Sequence, residues 1–366
     1  MRPMWTIVAG LLLACGTTTA WAGFLAADLV YVPVVAHTEG DNGTIWRSDV
    51  YITNVDDVPV DVAVVYLPSG LFSNAFRVDD RTAFLGGRDE DHFGIIEQTL
   101  AGIPSGGTVV LEDPVGTHWA DDIGQNGNGA LIVFAYEADT LEDDGSRIFR
   151  NVVVESRTYN VATILIPDDD GDDTTYQEVE GSYGQTVPGV PWYNTADLFF
   201  VDDDRSLNEL VLVGGVESES LRYNVGLFNA SDPQTSLTVV LQPFQANGEP
   251  FEDDEGAVKR IAVSVPPLAH LQYFRPLQSL LDIDEATAVT WRITIVSANS
   301  TASEPQTALT AYGSVIDNST GDPTTILPSF VDPYPSSCVW PTDDDGGGIV
   351  AGPRPRSRRL DLPAVR

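Results

Sequence analysis

The stretch that decides the fold is RSDVYITNVDDVPVDVAVVY, at Arg47–Tyr66, and a similar stretch, RYNVGLFNASDPQTSLTVVL, follows at Arg222–Leu241. Six aligned positions carry the same residue: Arg47/Arg222, Val50/Val225, Asn54/Asn229, Asp57/Asp232, Val64/Val239 and Val65/Val240. Each stretch has the pattern of a short strand, a polar turn and a second strand in which apolar and polar residues alternate. We therefore predict that the chain contains two copies of one β-rich unit.

Further blocks align between the two halves of the chain. They are Ile103–Pro114 with Val265–Pro276, Gly129–Tyr136 with Val289–Val296, and Val152–Asn160 with Thr310–Asn318, where Ser156 meets Ser314 and Asn160 meets Asn318. The spacing between the copies shrinks along the chain. Loops tolerate changes of length that strands do not, so the second copy is expected to have the same strands and shorter loops.

Short strands between turn residues, with few amphipathic helices, predict an all-β protein of two tandem Ig-like β-sandwich domains. A barrel is the alternative, because the pattern alone does not separate it from a sandwich. We expect the first sandwich at residues 28–192, the second at 197–330 and a disordered, Gly-rich and then basic tail at 341–366. Ile95–Ala101 is expected to form a helical turn.

Residues 1–22 are typical of a secretory signal peptide. Arg2 precedes an apolar stretch, and the small-residue motif AWA ends at Ala22. This predicts cleavage after Ala22 and a secreted, extracellular or periplasmic protein. The alternative starts from LLAC, which ends at Cys15 and resembles a bacterial lipobox. In that case Cys15 would be lipidated and the protein would be an outer-membrane lipoprotein.

The composition is that of a folded and strongly acidic protein. Apolar residues make up 43 % of the chain and the formal net charge is −35. Nucleic acids and anionic membrane surfaces would repel such a chain. A salty environment, a preference for Arg over Lys and Ca²⁺-binding loops could each account for the charge. Removal of the signal leaves Cys338 as the only cysteine, so no internal disulfide is expected.

Two motifs carry a resemblance to known sequences. GDNGTIWRSD, which ends at Asp49, and SVIDNSTGDP, which ends at Pro323, resemble motifs of an uncharacterised tandem β-sandwich repeat family of exported bacterial proteins. The resemblance covers roughly Tyr31–Pro328. It implies an exported β-sandwich protein and brings no activity with it. From its residues, the second motif is expected to form a tight turn.

The sequence predicts one candidate metal site and no other cofactor. Asp168, Asp170, Asp172 and Asp173 surround a glycine, and carboxylates in a flexible loop suit Ca²⁺. The register of an EF-hand is not met, and a solvated acidic loop is the alternative. The four histidines lack the spacing of a zinc site.

No motif in the sequence concentrates catalytic chemistry, since G-x-S-x-G is absent. We therefore expect a non-enzymatic adhesion, structural or binding module of the cell surface or the extracellular space. An extracellular glycan or a surface protein is the expected partner. Trp119 is the residue expected to be exposed and to stack on a sugar. The alternative is a secreted polysaccharide hydrolase with carboxylates in the loops Leu71–Leu100 and Thr117–Asn128.

Overall fold

The computed structural model describes residues 25–40, 44–69, 96–119, 127–139, 148–167, 176–202, 205–231, 234–302 and 307–330. These residues form antiparallel sheets with two short α-helices and one turn of 3-10 helix, so the predicted all-β class is confirmed. Within these ranges no helix combines the length and the apolar character needed to cross a membrane.

A first set of strands forms one sheet. It comprises β1 (Leu29–Glu39), β2 (Ile45–Asn54), β3 (Val60–Pro68), β4 (Ile96–Ile103), β5 (Thr108–Leu111), helix α1 (Pro114–Thr117), β6 (Gly127–Glu137), β7 (Val152–Pro167), β8 (Tyr176–Pro188) and β9 (Val190–Pro191). The strand order is β4-β3-β6-β1-β2-β7-β8, while β5 pairs with β2 and β9 with β1. The sheet folds over on itself, since β1 pairs with β6 along most of its length and with β2 only at its end. Val32, Val50, Val64 and Val133 from both halves therefore meet in one core.

A second set of strands forms two main sheets. After the 3-10 helix Trp192–Asn194 it comprises β10 (Asp197–Asp202), β11 (Arg205–Leu207), β12 (Glu209–Glu217), β13 (Leu221–Asn229), β14 (Thr235–Phe244), β15 (Ile261–Val265), β16 (His270–Phe274), helix α2 (Pro276–Leu281), β17 (Ala286–Ser300), β18 (Leu309–Asp317), β19 (Pro323–Ile326) and β20 (Ser329–Phe330). The sheets have the orders β15-β14-β17-β12-β20 and β16-β13-β18-β19. Leu212, Val225, Val239 and Trp291 from both sheets share one core, the arrangement of a β-sandwich.

The strands pair in the same order in the two sets. β1 lies between β6 and β9 as β12 lies between β17 and β20, and β2 lies between β5 and β7 as β13 lies between β16 and β18. Both helices follow a residue in the left-handed conformation, Asp113 (φ 42°) or Arg275 (φ 46°). When the strands of the second set are numbered from β12, the first strand lies in one sheet with the third, fourth and sixth strands, which are β14, β15 and β17. An immunoglobulin domain places its first strand with the second, fourth and fifth, so the Ig-like part of the prediction is not confirmed.

The two sets pack against each other through an apolar contact, called the interface below. Tyr31, Val65 and Ile132 of β1, β3 and β6 form a buried cluster with Phe228 and Leu268 of the second set. The rings of Tyr31 and Phe228 meet edge to face, with centroids 5.8 Å apart. β3 and β6 are consequently buried on both faces, which explains their nearly continuous apolar sequences.

One local prediction is wrong. Ile95–Ala101 was expected to form a helical turn, but Ile96–Ile103 is strand β4, which pairs with β3 from Tyr66 onward. The backbone N–H and C=O groups of β3 on the side away from β6 pair with this segment, and such pairing requires an extended conformation. Tertiary pairing thus overrides a weak local preference.

Candidate functional site

The outer face of β2 and β7 carries a group of polar and aromatic side chains. Along β2 the buried Ser48, Val50, Ile52 and Asn54 alternate with partly exposed residues, because successive side chains of a strand point to opposite faces. The outward residues of β2 and their partners on β7 are Arg47 beside Tyr159, Asp49 beside Arg157, and Tyr51 beside Glu155. We call these six residues the arginine–tyrosine face.

Three contacts hold the centre of this face together. The hydroxyl of Tyr159 donates to Asp49 Oδ1 at 3.2 Å, and the guanidinium of Arg157 lies 5.0 Å above the Tyr159 ring centroid. Arg157 also donates to the hydroxyl of Ser182 on β8 at 3.2 Å. Partial burial, together with the charge of Asp49, raises the pKa of Tyr159 to about 12. The phenol is therefore a neutral hydrogen-bonding group at physiological pH.

A histidine–aspartate pair borders the arginine–tyrosine face. His37 Nδ1 lies 2.8 Å from Asp113 Oδ2, and Arg47 Nε lies 3.8 Å from the same oxygen. Asp113 caps helix α1 through Gly116 N and donates its own N–H to Asp49 Oδ1 at 3.1 Å. A Cβ on Gly116 would clash with the His37 ring, so the pair fits only against a glycine.

The equivalent positions of the second set hold a glutamate and an arginine in place of the histidine and the aspartate. Strand pairing matches His37 with Glu217 and Asp113 with Arg275. The Glu217 carboxylate accepts hydrogen bonds from Leu277 N and Gln278 N of α2, at 3.3 and 3.0 Å. Burial raises the pKa of Glu217, and its backbone donors and Arg275 oppose that shift. In both sets the end of the first long strand is thus tied to the short helix, which assigns the His37–Asp113 pair a structural role.

The outer face itself differs between the two sets. Tyr51, Thr53 and Glu155 of the first set correspond to Gly226, Phe228 and Tyr312 of the second. In the second set these residues are buried at the interface. The arginine–tyrosine face of the first set is partly exposed. The outer face of β13 and β18 therefore docks onto the first set, whereas the outer face of β2 and β7 is partly exposed.

The motif SVIDNSTGDP forms the predicted tight turn. Asp317 Oδ1 accepts hydrogen bonds from the Ser319 hydroxyl, from Ser319 N at 2.7 Å and from Thr320 N at 3.2 Å. These donors, the Ser319 hydroxyl first, lower the pKa of Asp317. Gly321 has φ +74°, and a Cβ there would lie 2.9 Å from Asn160 Nδ2 of β7. The turn thus also rests on the first set. Beside it lies an open depression of about 610 Å³, lined by Ser218, Glu219, Ser220, Glu285, Asn318 and Ser319.

Trp119 does not have the exposed indole that the sequence led us to expect. It is 1 % exposed and belongs to the core of the first set. Its ring stacks on Tyr66 with centroids 4.9 Å apart and planes 3° apart. The expectation of exposure is wrong because the helical turn of α1 leads the chain back over the core. The indole then covers the ring of Tyr66 at the edge of that core.

The remaining predicted site residues lie outside the described residues. These are the predicted Ca²⁺ ligands Asp168, Asp170, Asp172 and Asp173, the lipidation candidate Cys15, and the cleavage site after Ala22. Most of the loops assigned to the hydrolase alternative, residues 70–95 and 120–126, are outside as well. Among the described residues, no group of three or more His, Cys, Asp or Glu side chains is arranged to hold a metal ion.

The sequence contained a signal for the arginine–tyrosine face that reasoning by motif missed. The outward positions of RSDVYITN include Arg47, Asp49 and Tyr51. Those of VVVESRTYN include Glu155, Arg157 and Tyr159. Simple alternation places them on one face of each strand, but only the pairing of β2 with β7 brings them together. Scans against protein-family models and against curated proteins give no match to this chain.

Proposed function

We propose that the protein is an exported, non-enzymatic binding module of the cell surface or the extracellular space, built from two copies of one β-sandwich unit. Its ligand would contact the arginine–tyrosine face. The observation that carries this proposal is the difference between the copies. The face is buried where the second set docks, while in the first set it is partly exposed and carries tyrosine and arginine.

The chemistry of the face favours a binding role. Tyr and Arg dominate the energetics of protein binding sites because they combine a large apolar surface with hydrogen-bonding ends. Tyr51 supplies a partly exposed ring, Arg157 supplies guanidinium donors and Asp49 a carboxylate acceptor. Aromatic faces beside planar polar groups match the apolar and hydroxyl faces of a sugar ring. An extracellular glycan is therefore the proposed ligand.

Export is the second part of the proposal. It is supported by the signal-peptide pattern that ends at Ala22, by a net charge of −35 and by the presence of one lysine in the whole chain. A high negative charge keeps a protein soluble and monomeric outside the cell. Membrane-fraction recovery that is lost on Cys15→Ser would assign the lipoprotein alternative instead.

A glycan array probed with the chain from Gly23 onward tests the ligand. We expect Arg157→Ala and Tyr51→Ala each to weaken binding to the best glycan about tenfold, a loss that only the minority of energetically important interface residues show. Arg292→Ala is the matched control, because Arg292 also lies over a ring, that of Phe244, and pairs with Glu209 on a solvated sheet face. Equal binding by all three variants would overturn the assignment of the face.

A reducing-end assay on the bound glycan separates binding from hydrolysis. The proposal predicts that the glycan is recovered intact after prolonged incubation. Release of new reducing ends would favour the polysaccharide hydrolase instead, with its carboxylates in the first-set loops. A surface protein captured through the same face, with the glycan array blank, would replace the glycan as the ligand.

A further inference from the structure

His270 of β16 lies at the interface with its side chain fully buried. It pairs directly with Phe228 of β13, and directly paired residues of an antiparallel ladder project to the same face. Phe228 packs edge-on against Tyr31 of β1, so His270 projects from the second set toward the first. Its backbone oxygen accepts a hydrogen bond from Ser69 Oγ of the first set at 3.2 Å.

The surroundings of the His270 imidazole suit its neutral form and not its protonated form. Its Nε2 lies 3.1 Å from the hydroxyl of Tyr312, and the two rings are nearly parallel with centroids 5.9 Å apart. Its Nδ1 is buried and has no hydrogen-bond partner among the described residues. A protonated imidazole donates from both nitrogens. Protonation would therefore place a charge and an unsatisfied N–H in the interface.

Among the described residues, no acidic side chain lies beside His270. The interface faces carry the tyrosines Tyr31, Tyr136 and Tyr312, and a tyrosine is uncharged near neutral pH. They also carry Asp61, at the end of β3 away from Ser69, whose carboxylate accepts from Gly102 N at 2.7 Å. On β13 the charged residue of this face is Arg222, at the far end of the strand, over the ring of Phe274. Arg222 carries the same sign as protonated His270 and would not stabilise it.

Tyr312 connects this pair to the first set. It packs with Val34 and Val187 of β1 and β8. A Cβ on Gly226 would clash with the Tyr312 ring, so the ring occupies the space that the glycine leaves on β13. His270 and Tyr312 can reach water only if the second set moves away from the first.

We propose that His270 makes the interface an acid-sensitive latch, which stays closed while the imidazole is neutral and opens when the imidazole is protonated. Burial lowers the pKa of His270 to about 4, against 6.5 for the exposed group. As the pH falls below 6.5, the open form takes up the proton first and the closed form loses stability. The ratio of open to closed molecules should rise by about 20-fold between pH 7 and pH 5.

Hydroxyl-radical labelling of the full chain tests the latch. The reporter is the ring of Phe228, which is fully buried and packs on Tyr31 of the first set. Its protection from labelling, measured against the exposed ring of Phe274, should fall about 20-fold between pH 7 and pH 5. His270→Gln should abolish that fall, while His118→Gln, at an exposed histidine, should leave it unchanged. An equal fall in the His270→Gln variant would overturn the proposal.

A measurement on the unaltered chain covers the case in which His270→Gln does not fold. The chain has four histidines, so the imidazole of His270 can be followed by NMR through a pH titration. We expect it to stay neutral at pH 5 in molecules whose Phe228 ring is still protected by the closed interface. Titration near pH 6.5 with the interface closed would contradict the latch.

Discussion

Asn54 and Asn229 make the same hydrogen bonds at the same corner of their two sets. Asn54 Nδ2 donates to Ile103 O at 3.0 Å and Asn229 Nδ2 to Val265 O at 3.1 Å. Each Oδ1 accepts from the backbone N–H two residues later. One fully buried amide thus ties the end of β2 or β13 to the end of β4 or β15, which is why the asparagine recurs.

Removing either amide should destabilise the protein. Asn54→Ala or Asn229→Ala leaves buried backbone carbonyls without a donor, and each unsatisfied buried group costs about 1–3 kcal/mol. We expect each variant to lower the free energy of unfolding by about 2–4 kcal/mol in a urea titration. Asn247→Ala is the control, because Asn247 makes a similar side-chain contact in an exposed turn. A cost no larger than that of the control would contradict the corner role.

Gly226 and Tyr312 should show a compensating pair of substitutions. Gly226→Ala introduces a Cβ where the Tyr312 ring lies, and overpacking of this kind costs about 1–3 kcal/mol. Tyr312→Ala removes the ring, so the double variant should lose less than the sum of the single variants. Thermal unfolding of all four proteins measures this coupling. Additive costs would mean that the ring does not need the glycine.

Trp119 should behave as a core residue in any assay. Trp119→Ala deletes a buried indole stacked on Tyr66, and such deletions cost about 3–5 kcal/mol. Trp119→Phe keeps a ring over Tyr66 and should cost clearly less. Glycan binding by the folded Trp119→Phe variant should equal that of the unaltered chain. A selective loss of binding without a loss of stability would mean that Trp119 contacts the ligand.

Much of the fold could be predicted from the sequence, but the register could not. The ungapped alignment matches β2 with β13 correctly, yet strand pairing matches Val60 with Leu237, so the turn before β14 is two residues longer than the alignment assumed. A shift of two residues keeps every side chain on its own face, so a pattern of period two does not detect it.

Between β7 and β18 the sequence alignment is wrong by one residue, and such an error places aligned side chains on opposite faces of the sheet. Ser156 and Ser314 match by identity, but Ser156 pairs with Val50 of the core face, whereas Ser314 pairs with Asn224 of the outer face. The two serines therefore point to opposite sides of equivalent strands. Identity at a few polar positions is weaker information than the pairing partner. This is also why the outer face, which depends on what each strand lies beside, was not found from the sequence.

The buried carboxyl group of Glu217 should make the stability of the protein depend on pH. Because burial raises the pKa of Glu217 above its usual 4.5, the folded protein holds this proton more tightly than the unfolded chain. The stability from this group is fully present below pH 4.5 and is lost as the pH rises through the raised pKa. Glu217→Gln does not titrate, and its amide oxygen can still accept from the α2 backbone.

The cost of Glu217→Gln should therefore be smaller at pH 7 than at pH 4.5, when both proteins are unfolded with urea at each pH. Glu219→Gln, two residues further along in an exposed position, is the control and should show no such change. Glu217→Ala should cost more than Glu217→Gln at both pH values, because it removes the acceptor of Leu277 N and Gln278 N. A Glu217→Gln cost that grew with pH would mean that the ionised carboxylate stabilises the helix more than its burial penalises it.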